Sequence, residues 1–256
     1  MAKSPGRCIF CTGFHLTKEH LFADWLREIF PRSESDTHTM GVAEGTPWRI
    51  IQRQGHSGSK KIRTVCKRCN SGWISAVDDA AKYVATPLIR GEPSVITPDM
   101  QRVLAGWFAK IAAVADSRNR RRSVVTQPQR TWIMDRQEPP KEWEIWIAPY
   151  GGSDYRDLAL FQNGGHLDFS PVRGPSKEFS GYAQTTFLGI GKLATLVVAD
   201  DFPRVDFNIG TFAQIARRIW PIGGEVAWPL PYTMTDIEAN AAAHILKHMI
   251  ANIRDE

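Results

Sequence analysis

Three short stretches near the start of the chain decide its fold: Cys8-Ile-Phe-Cys11, Lys18-Glu-His20, and Val65-Cys-Lys-Arg-Cys-Asn-Ser-Gly-Trp73. All four cysteines of the 256-residue chain lie in them, as two C-x-x-C pairs. Two such pairs are the usual ligand set of a structural zinc ion, which binds four thiolates at the corners of a tetrahedron. The spacing therefore predicts a zinc site that joins two segments far apart in sequence, with an inserted loop between them.

Two other states of the cysteines remain open from the spacing alone: four unrelated thiols, or two disulfides. The first residues, Met1 to Pro5, lack the apolar core of a secretory signal peptide. We therefore expect a cytoplasmic chain, and disulfides are rare in the cytoplasm. A redox-active C-x-x-C pair usually lies beside a βαβ pattern, which is not visible here. Zinc is the favoured interpretation, with four ligands: Cys8, Cys11, Cys66 and Cys69.

Polar residues that are not cysteines accompany both pairs. Glu19 and His20 follow the first pair, and Asn70 directly follows the second. A zinc ion with four cysteine ligands has no open position, so any chemistry has to come from these three side chains. Carboxylate and amide oxygens suit Mg²⁺, and a neutral imidazole beside such an ion can take a proton from an attacking water. The alternative is that Glu19 and His20 are a surface pair at the start of a helix, with Thr17 as its N-cap.

This combination resembles the HNH, or His-Me finger (ββα-metal), nucleases. It is most similar to the recombination endonuclease VII type, in which C-x-x-C, an acidic residue with His, and C-x-x-C-N occur in this order. The resemblance covers roughly the first 85 residues. It implies a zinc-stabilised, treble-clef-like nuclease domain with His20 as general base, and with Glu19 and Asn70 as ligands of a catalytic Mg²⁺ or Mn²⁺. The cysteines would hold the structural zinc.

Two residues depart from the commonest pattern of that family. Glu19 stands where an aspartate is more frequent, so its carboxylate reaches one methylene further. Asn70 stands where many HNH proteins have a histidine, although asparagine is typical of the endonuclease VII type. By family association alone, such a nuclease would serve a phage, a mobile element or bacterial defence.

Positive charge is concentrated in the same part of the chain. Residues 1–90 contain 14 Lys and Arg against 8 Asp and Glu, whereas residues 91–256 contain 18 against 19. A polyanion such as DNA would be attracted to the first segment, and binding should weaken as salt concentration rises. The alternative is an ordinary solvated surface. The candidate contacts to nucleic acid lie just before and within the second cysteine pair: Lys60, Lys61, Arg63, Lys67 and Arg68.

The pattern of apolar residues predicts an α+β chain with two domains, residues 1–90 and 91–256. Helical spacing predicts helices from Thr17 to Phe30 and from Asn70 to about Ala85, and Thr97-Pro98 begins a third, buried helix. From Val124 onward, alternation predicts an antiparallel sheet. It includes a strand at Thr131–Asp135 and hairpin turns at Asn163-Gly164-Gly165 and Gly191-Lys192. Thr235 and Glu238 form a capping box that begins the last helix.

Residues 91–256 contain no motif that indicates chemistry, so we expect them to select substrate, dock a protein partner or form a homodimer. No run reaches the ~18 apolar residues of a transmembrane helix. Two kinds of function remain open. The first is a metal-dependent endonuclease that hydrolyses phosphodiester bonds in DNA. The second is a zinc-stabilised module that binds nucleic acid or protein without cutting, or a nuclease subunit that is active only with a partner.

Overall fold

The computed structural model describes residues 6–31, 37–42, 49–54, 60–118, 123–169, 179–202, 205–247 and 250–253. The described residues form a mixed α+β structure in which the strand pairs are antiparallel. The strands are β1 (Leu16–His20), β2 (Thr37–Val42), β3 (Arg49–Gln54), β4 (Lys61–Cys66), β5 (Ser94–Ile96), β6 (Glu144–Pro149), β7 (Ala159–Phe169), β8 (Phe179–Ile190), β9 (Leu193–Asp200), β10 (Val205–Asn208), β11 (Arg217–Trp220), β12 (Val226–Trp228) and β13 (Ile250–Ile253). The α-helices are α1 (Lys67–Cys69), α2 (Ser75–Arg90), α3 (Pro98–Asp116), α4 (Gln127–Arg136), α5 (Phe212–Ile215) and α6 (Asp236–Ala243).

The N-terminal part is an antiparallel pair of strands followed by a helix. Strand β1 pairs with β4, so that Leu16 lies opposite Cys66 and His20 opposite Lys61. The chain leaves β4 through α1 and a wide turn at Asn70–Ile74, in which Gly72 departs from helical geometry, and then enters α2. This order places the segment of the first cysteine pair and that of the second side by side.

The helix predicted from Thr17 to Phe30 is wrong. Residues Leu16–His20 form β1, and only Asp24–Glu28 are helical, as a 3-10 turn. The apolar residues whose spacing indicated a helix are buried all the same. Pairing with β4, which begins 40 residues after β1 ends, decided the backbone conformation, because local propensity is weak against tertiary contacts.

Helices α2 and α3 pack together and form the centre of the molecule. Helix α2 extends beyond the predicted end at Ala85 and stops at Gly91, whose φ of 74° is the left-handed conformation that glycine adopts at low cost. The predicted start of α3 is confirmed: Thr97 Oγ1 accepts a hydrogen bond from the Met100 N–H, and Pro98 is the first helical residue. Helix α3 is buried on most sides, as predicted.

The predicted antiparallel sheet is confirmed, with five strands in the order β11-β6-β9-β8-β7 and a hairpin at Gly191-Lys192. Two local predictions inside it are wrong. Asn163-Gly164-Gly165 is not a turn but the middle of β7, paired along its length with β8. Thr131–Asp135 lies in α4, which Thr126 begins with a capping box. A side chain at Gly164 would come within 3.0 Å of Val124, so close packing accounts for that glycine.

One hydrophobic core joins the parts of the chain that the sequence assigned to two domains. It contains residues of the first cysteine pair, of α2 and α3, and of the five-stranded sheet. The division at residue 90 stays a prediction, but the residues on either side of it share this core. Among the described residues, no helix combines the length and apolar character needed to cross a membrane.

Candidate functional site

The four cysteine side chains meet at one point. The Sγ atoms of Cys8, Cys11, Cys66 and Cys69 all lie within 4.8 Å of one another, and those of Cys11 and Cys66 are 3.4 Å apart. Zn–S bonds of about 2.3 Å place neighbouring sulfurs of a tetrahedral site about 3.8 Å apart, so the cluster fits a zinc ion. The cysteines are not disulfide-bonded. The four cysteines can therefore hold zinc, as the sequence predicted.

Backbone contacts hold the first cysteine pair in place. The Cys8 N–H donates to the Gly13 carbonyl at 2.8 Å, the Thr12 N–H donates to the Cys8 carbonyl, and the Ile9 N–H donates to Thr64 on β4. A side chain at Gly13 would lie 3.2 Å from Cys11 Sγ, so only glycine leaves the sulfur room. The Gln127 side chain on α4 donates to the carbonyls of Ile9 and Phe10. Residues beyond 90 thus support the cluster.

Crowding changes the acidity of the thiols. Burial raises the pKa of Cys69, and contact with the other cysteines raises it further. Burial also raises the pKa of Cys66, but hydrogen bonds from the Cys69 backbone and from the neighbouring thiols outweigh it and lower that pKa to about 7. A metal binds the thiolate form, so binding of zinc releases protons and is favoured as pH rises.

The two faces of the β1–β4 pair differ in charge. Directly opposed residues share a face of a sheet, and here His20 faces Lys61 while Lys18 faces Arg63. Lys18, Lys61 and Arg63 are exposed and His20 is half-buried, whereas Glu19 is 3% exposed. The outward face of this pair is therefore basic and carries the imidazole, and the one carboxylate of β1 points into the core.

The structure brings Asn70 beside the strand that carries Glu19 and His20. Its side-chain N–H₂ donates to Thr17 Oγ1 at 3.0 Å and to the Lys18 carbonyl at 3.5 Å. Thr17 Oγ1 in turn donates to the Val65 carbonyl on β4. The sequence predicted that zinc binding would place Asn70 close to the Glu19-His20 pair, and these contacts put it next to the two preceding residues.

His20 contacts a carboxylate that the sequence did not single out. Its Nε2 lies 3.6 Å from Asp24 Oδ1, which comes from the 3-10 turn after β1. Asp24 also pairs with Arg27 at 3.2 Å. A carboxylate beside one imidazole nitrogen orients the ring and favours the protonated form that arises when the other nitrogen accepts a proton. Asp24 is therefore the orienting partner of His20.

Glu19 belongs to a buried cluster of charges. Its Oε1 lies 3.8 Å from Nζ of Lys110, a fully buried residue of α3, and the same ammonium lies 2.7 Å from Asp78 Oδ1 on α2. Asp78 Oδ1 also accepts the indole N–H of Trp107 at 3.0 Å. One cation thus faces two carboxylates, and it is nearer to Asp78. Burial raises the pKa of Glu19 to about 7, although Lys110 lowers it.

The raised pKa of Glu19 predicts a specific pH dependence of stability. In the unfolded chain a glutamate has a pKa of about 4.3, so between that value and 7 the folded protein binds more protons and loses stability as pH rises. Glu19→Gln removes this loss. Relative to the parent, we expect the variant to gain on the order of 3 kcal/mol in free energy of unfolding between about pH 5 and pH 8. Urea unfolding of both proteins over this range measures the difference; a constant difference would show that Glu19 titrates normally.

The five predicted contacts to nucleic acid lie close together in the chain but in different elements. Lys61 and Arg63 are on β4 and exposed, and Lys67 and Arg68 are exposed on α1, between the two cysteines of the second pair. Lys60 directly precedes β4. Arg63 also donates to the Leu16 carbonyl at 3.0 Å and so braces β1.

Sequence reasoning did not find Lys110 or Asp24. A signal for Lys110 existed: it is the one charge within an otherwise apolar run, Val103 to Val114, and a buried lysine needs a carboxylate. Within the described residues, the cysteines are the one group of three or more His, Cys, Asp or Glu side chains arranged to hold a metal. Comparisons with protein-family models, with curated proteins and with solved structures found no match to this chain.

Proposed function

We propose that this protein is a metal-dependent endonuclease that hydrolyses phosphodiester bonds in DNA, with His20 as the general base. The observation that carries the proposal is the position of His20. It lies at the end of β1 on the basic face of the β1–β4 pair, opposite Lys61, and the cysteine cluster ties this pair to the segment that carries Asn70. A basic face attracts phosphate, and an imidazole within it is placed to act on a water molecule beside that phosphate.

The reaction requires one proton transfer that His20 can perform. The imidazole takes a proton from water while the water oxygen bonds to phosphorus, and the bond from phosphorus to the leaving oxygen breaks. Asp24, 3.6 Å from His20 Nε2, stabilises the resulting imidazolium. Lys18, Lys61 and Arg63 lie on the same face and neutralise the phosphate charge.

The predicted ligands of the catalytic ion lie in different surroundings. A divalent ion would stabilise the charge that develops on the phosphate and the leaving oxygen. Asn70 lies against β1, where an oxygen ligand of such an ion is needed. Glu19 is turned into the core, so it would have to exchange the ammonium of Lys110 for the ion. We therefore propose Asn70 as a ligand, and Glu19 as a ligand only after this exchange.

We expect the zinc-loaded protein to nick supercoiled plasmid in the presence of Mg²⁺ or Mn²⁺, and His20→Ala to lower the rate about a hundredfold or more. General base catalysis typically contributes that factor. The conversion of supercoiled to open-circular DNA measures the rate. His15→Asn is the matched control, because His15 is an exposed histidine just before β1 with a φ of 61°, a conformation that asparagine tolerates.

Two results would contradict this assignment. Nicking that survives His20→Ala at the parental rate would show that another group is the base. DNA binding without any nicking, at every divalent ion tested, would favour the second candidate, a zinc-stabilised module that binds nucleic acid. The buried position of Glu19 is the observation that favours that candidate, because it leaves the predicted metal ligand paired with a lysine.

A further inference from the structure

An exposed aromatic side chain extends the basic face of the β1–β4 pair. Phe14 lies two residues before β1 and is 50% exposed. The guanidinium of Arg7 lies 4.7 Å from the centre of its ring. Burying a phenylalanine side chain stabilises a protein by about 1.5 to 3 kcal/mol, and half of that surface remains in water here. Phe14 is therefore held outward at a cost in stability.

The local backbone keeps Phe14 in that position. Thr12 and His15, on either side of Gly13 and Phe14, have φ values of 57° and 61°, which non-glycine residues rarely adopt. Gly13 is fixed by the hydrogen bond from Cys8 and lies against the cysteine sulfurs. The side chain is thus presented by a rigid segment that the cysteine cluster anchors, so binding through it costs little conformational entropy.

Phe14 and His20 lie at the two ends of one basic stripe. Strand β1 rises about 3.3 Å per residue, so Leu16 and His20 are about 13 Å apart, and Phe14 lies just beyond the Leu16 end. Between them the outward residues are Lys18, with Arg63 opposite, and the acid of the strand faces the core. Cations in a row beside an exposed aromatic ring form the arrangement that binds single-stranded nucleic acid: cations contact the backbone and the ring stacks on a base.

We propose that Phe14, with Arg7 on one face of its ring, is a stacking platform for an unpaired base of single-stranded nucleic acid whose backbone follows Lys18, Arg63 and Lys61. Bases within a duplex are stacked on each other, so the platform selects strands with unpaired bases. The inference rests on the proposed function, because it names the substrate class of the same site. It places the bound backbone beside His20.

The test measures binding of full-length, zinc-loaded protein to a labelled single-stranded oligothymidylate and to a duplex of equal length, by fluorescence anisotropy. The His20→Ala background prevents cleavage during the measurement. Stacking of one base on an aromatic side chain contributes ~1–3 kcal/mol, so we expect Phe14→Ala to raise the Kd for the single strand about tenfold. Phe14→Trp should keep tight binding. Tyr83→Ala is the matched control, since Tyr83 is an aromatic residue on α2 that is 82% exposed.

Salt dependence separates stacking from charge. Phe14→Ala should leave the slope of log Kd against log salt unchanged, whereas Lys61→Ala should reduce it by about 0.7, the value for one phosphate contact to a single strand. If Phe14→Ala binds like Tyr83→Ala, or weakens duplex and single strand equally, the platform is refuted. If binding depends on Phe14 but the parent protein never nicks DNA, the platform stands and the proposed hydrolysis fails. Zinc content and melting temperature of each variant confirm folding.

Discussion

Replacing Cys66 by serine is expected to abolish zinc binding and to unfold the N-terminal part of the protein. Structural zinc contributes about 10 to 16 kcal/mol of apparent free energy in zinc-finger peptides, which equals or exceeds the total stability of a typical domain. Cys66 is also the residue at which β4 ends and α1 begins, opposite Leu16 of β1. Loss of this ligand therefore releases both strands. Zinc content by mass spectrometry, circular dichroism and thermal melting measure the effect.

The control for this substitution lies within the same segment. Arg68 is exposed between Cys66 and Cys69, so Arg68→Ser changes the knuckle without removing a ligand and should retain zinc and the parental melting temperature. Removal of zinc from the parent by a chelator should reproduce the loss of structure, and added zinc should restore it. A Cys66→Ser protein with an unchanged melt would show that the four sulfurs are not a structural metal site.

Replacing Lys110 by methionine is expected to lower the free energy of unfolding by about 3 to 5 kcal/mol. The substitution keeps an apolar side chain of similar length but leaves Glu19 and Asp78 buried without their cation, and removal of one partner of a buried ion pair costs about that much. Lys82→Met is the matched control. Lys82 pairs with Glu28 at 2.8 Å on the surface, and exposed pairs contribute only ~0–1 kcal/mol.

A rescue separates the loss of charge pairing from a general failure to fold. Adding Glu19→Gln and Asp78→Asn to Lys110→Met removes all three charges, and the amide oxygen introduced by Asp78→Asn can still accept the indole N–H of Trp107. A buried ion cluster can often be replaced by neutral residues at little cost, so we expect the triple variant to be more stable than Lys110→Met alone. Chemical denaturation measures all three proteins. A triple variant less stable than Lys110→Met would show that packing around the lysine stem, and not its charge, is what matters.

The sequence alone determined the zinc ligands and the ends of several helices. Two C-x-x-C pairs predict a tetrathiolate cluster because the geometry of the ion, and not the surrounding fold, sets which side chains can bind it. Thr97 and Thr235 were recognised as N-caps because a cap depends on residues within one turn. The antiparallel sheet followed from alternation along each strand.

Long-range partners decided what the sequence could not. Leu16–His20 have helical spacing but form a strand, because β4 supplies hydrogen bonds from more than 40 residues away. Asn163-Gly164-Gly165 resembles a turn but continues β7, because β8 pairs with every residue of it.

The candidate site shows the same division. Its residues were named from the sequence, but the direction in which each side chain points was not. Strand alternation sends Glu19 into the core and His20 to the basic face, and Lys110 makes that burial possible from a helix that begins 78 residues after β1 ends. The chemistry of a residue is written in its side chain, whereas its charge partner is set by packing, because burial of a carboxylate is favourable only where the fold brings a cation to it.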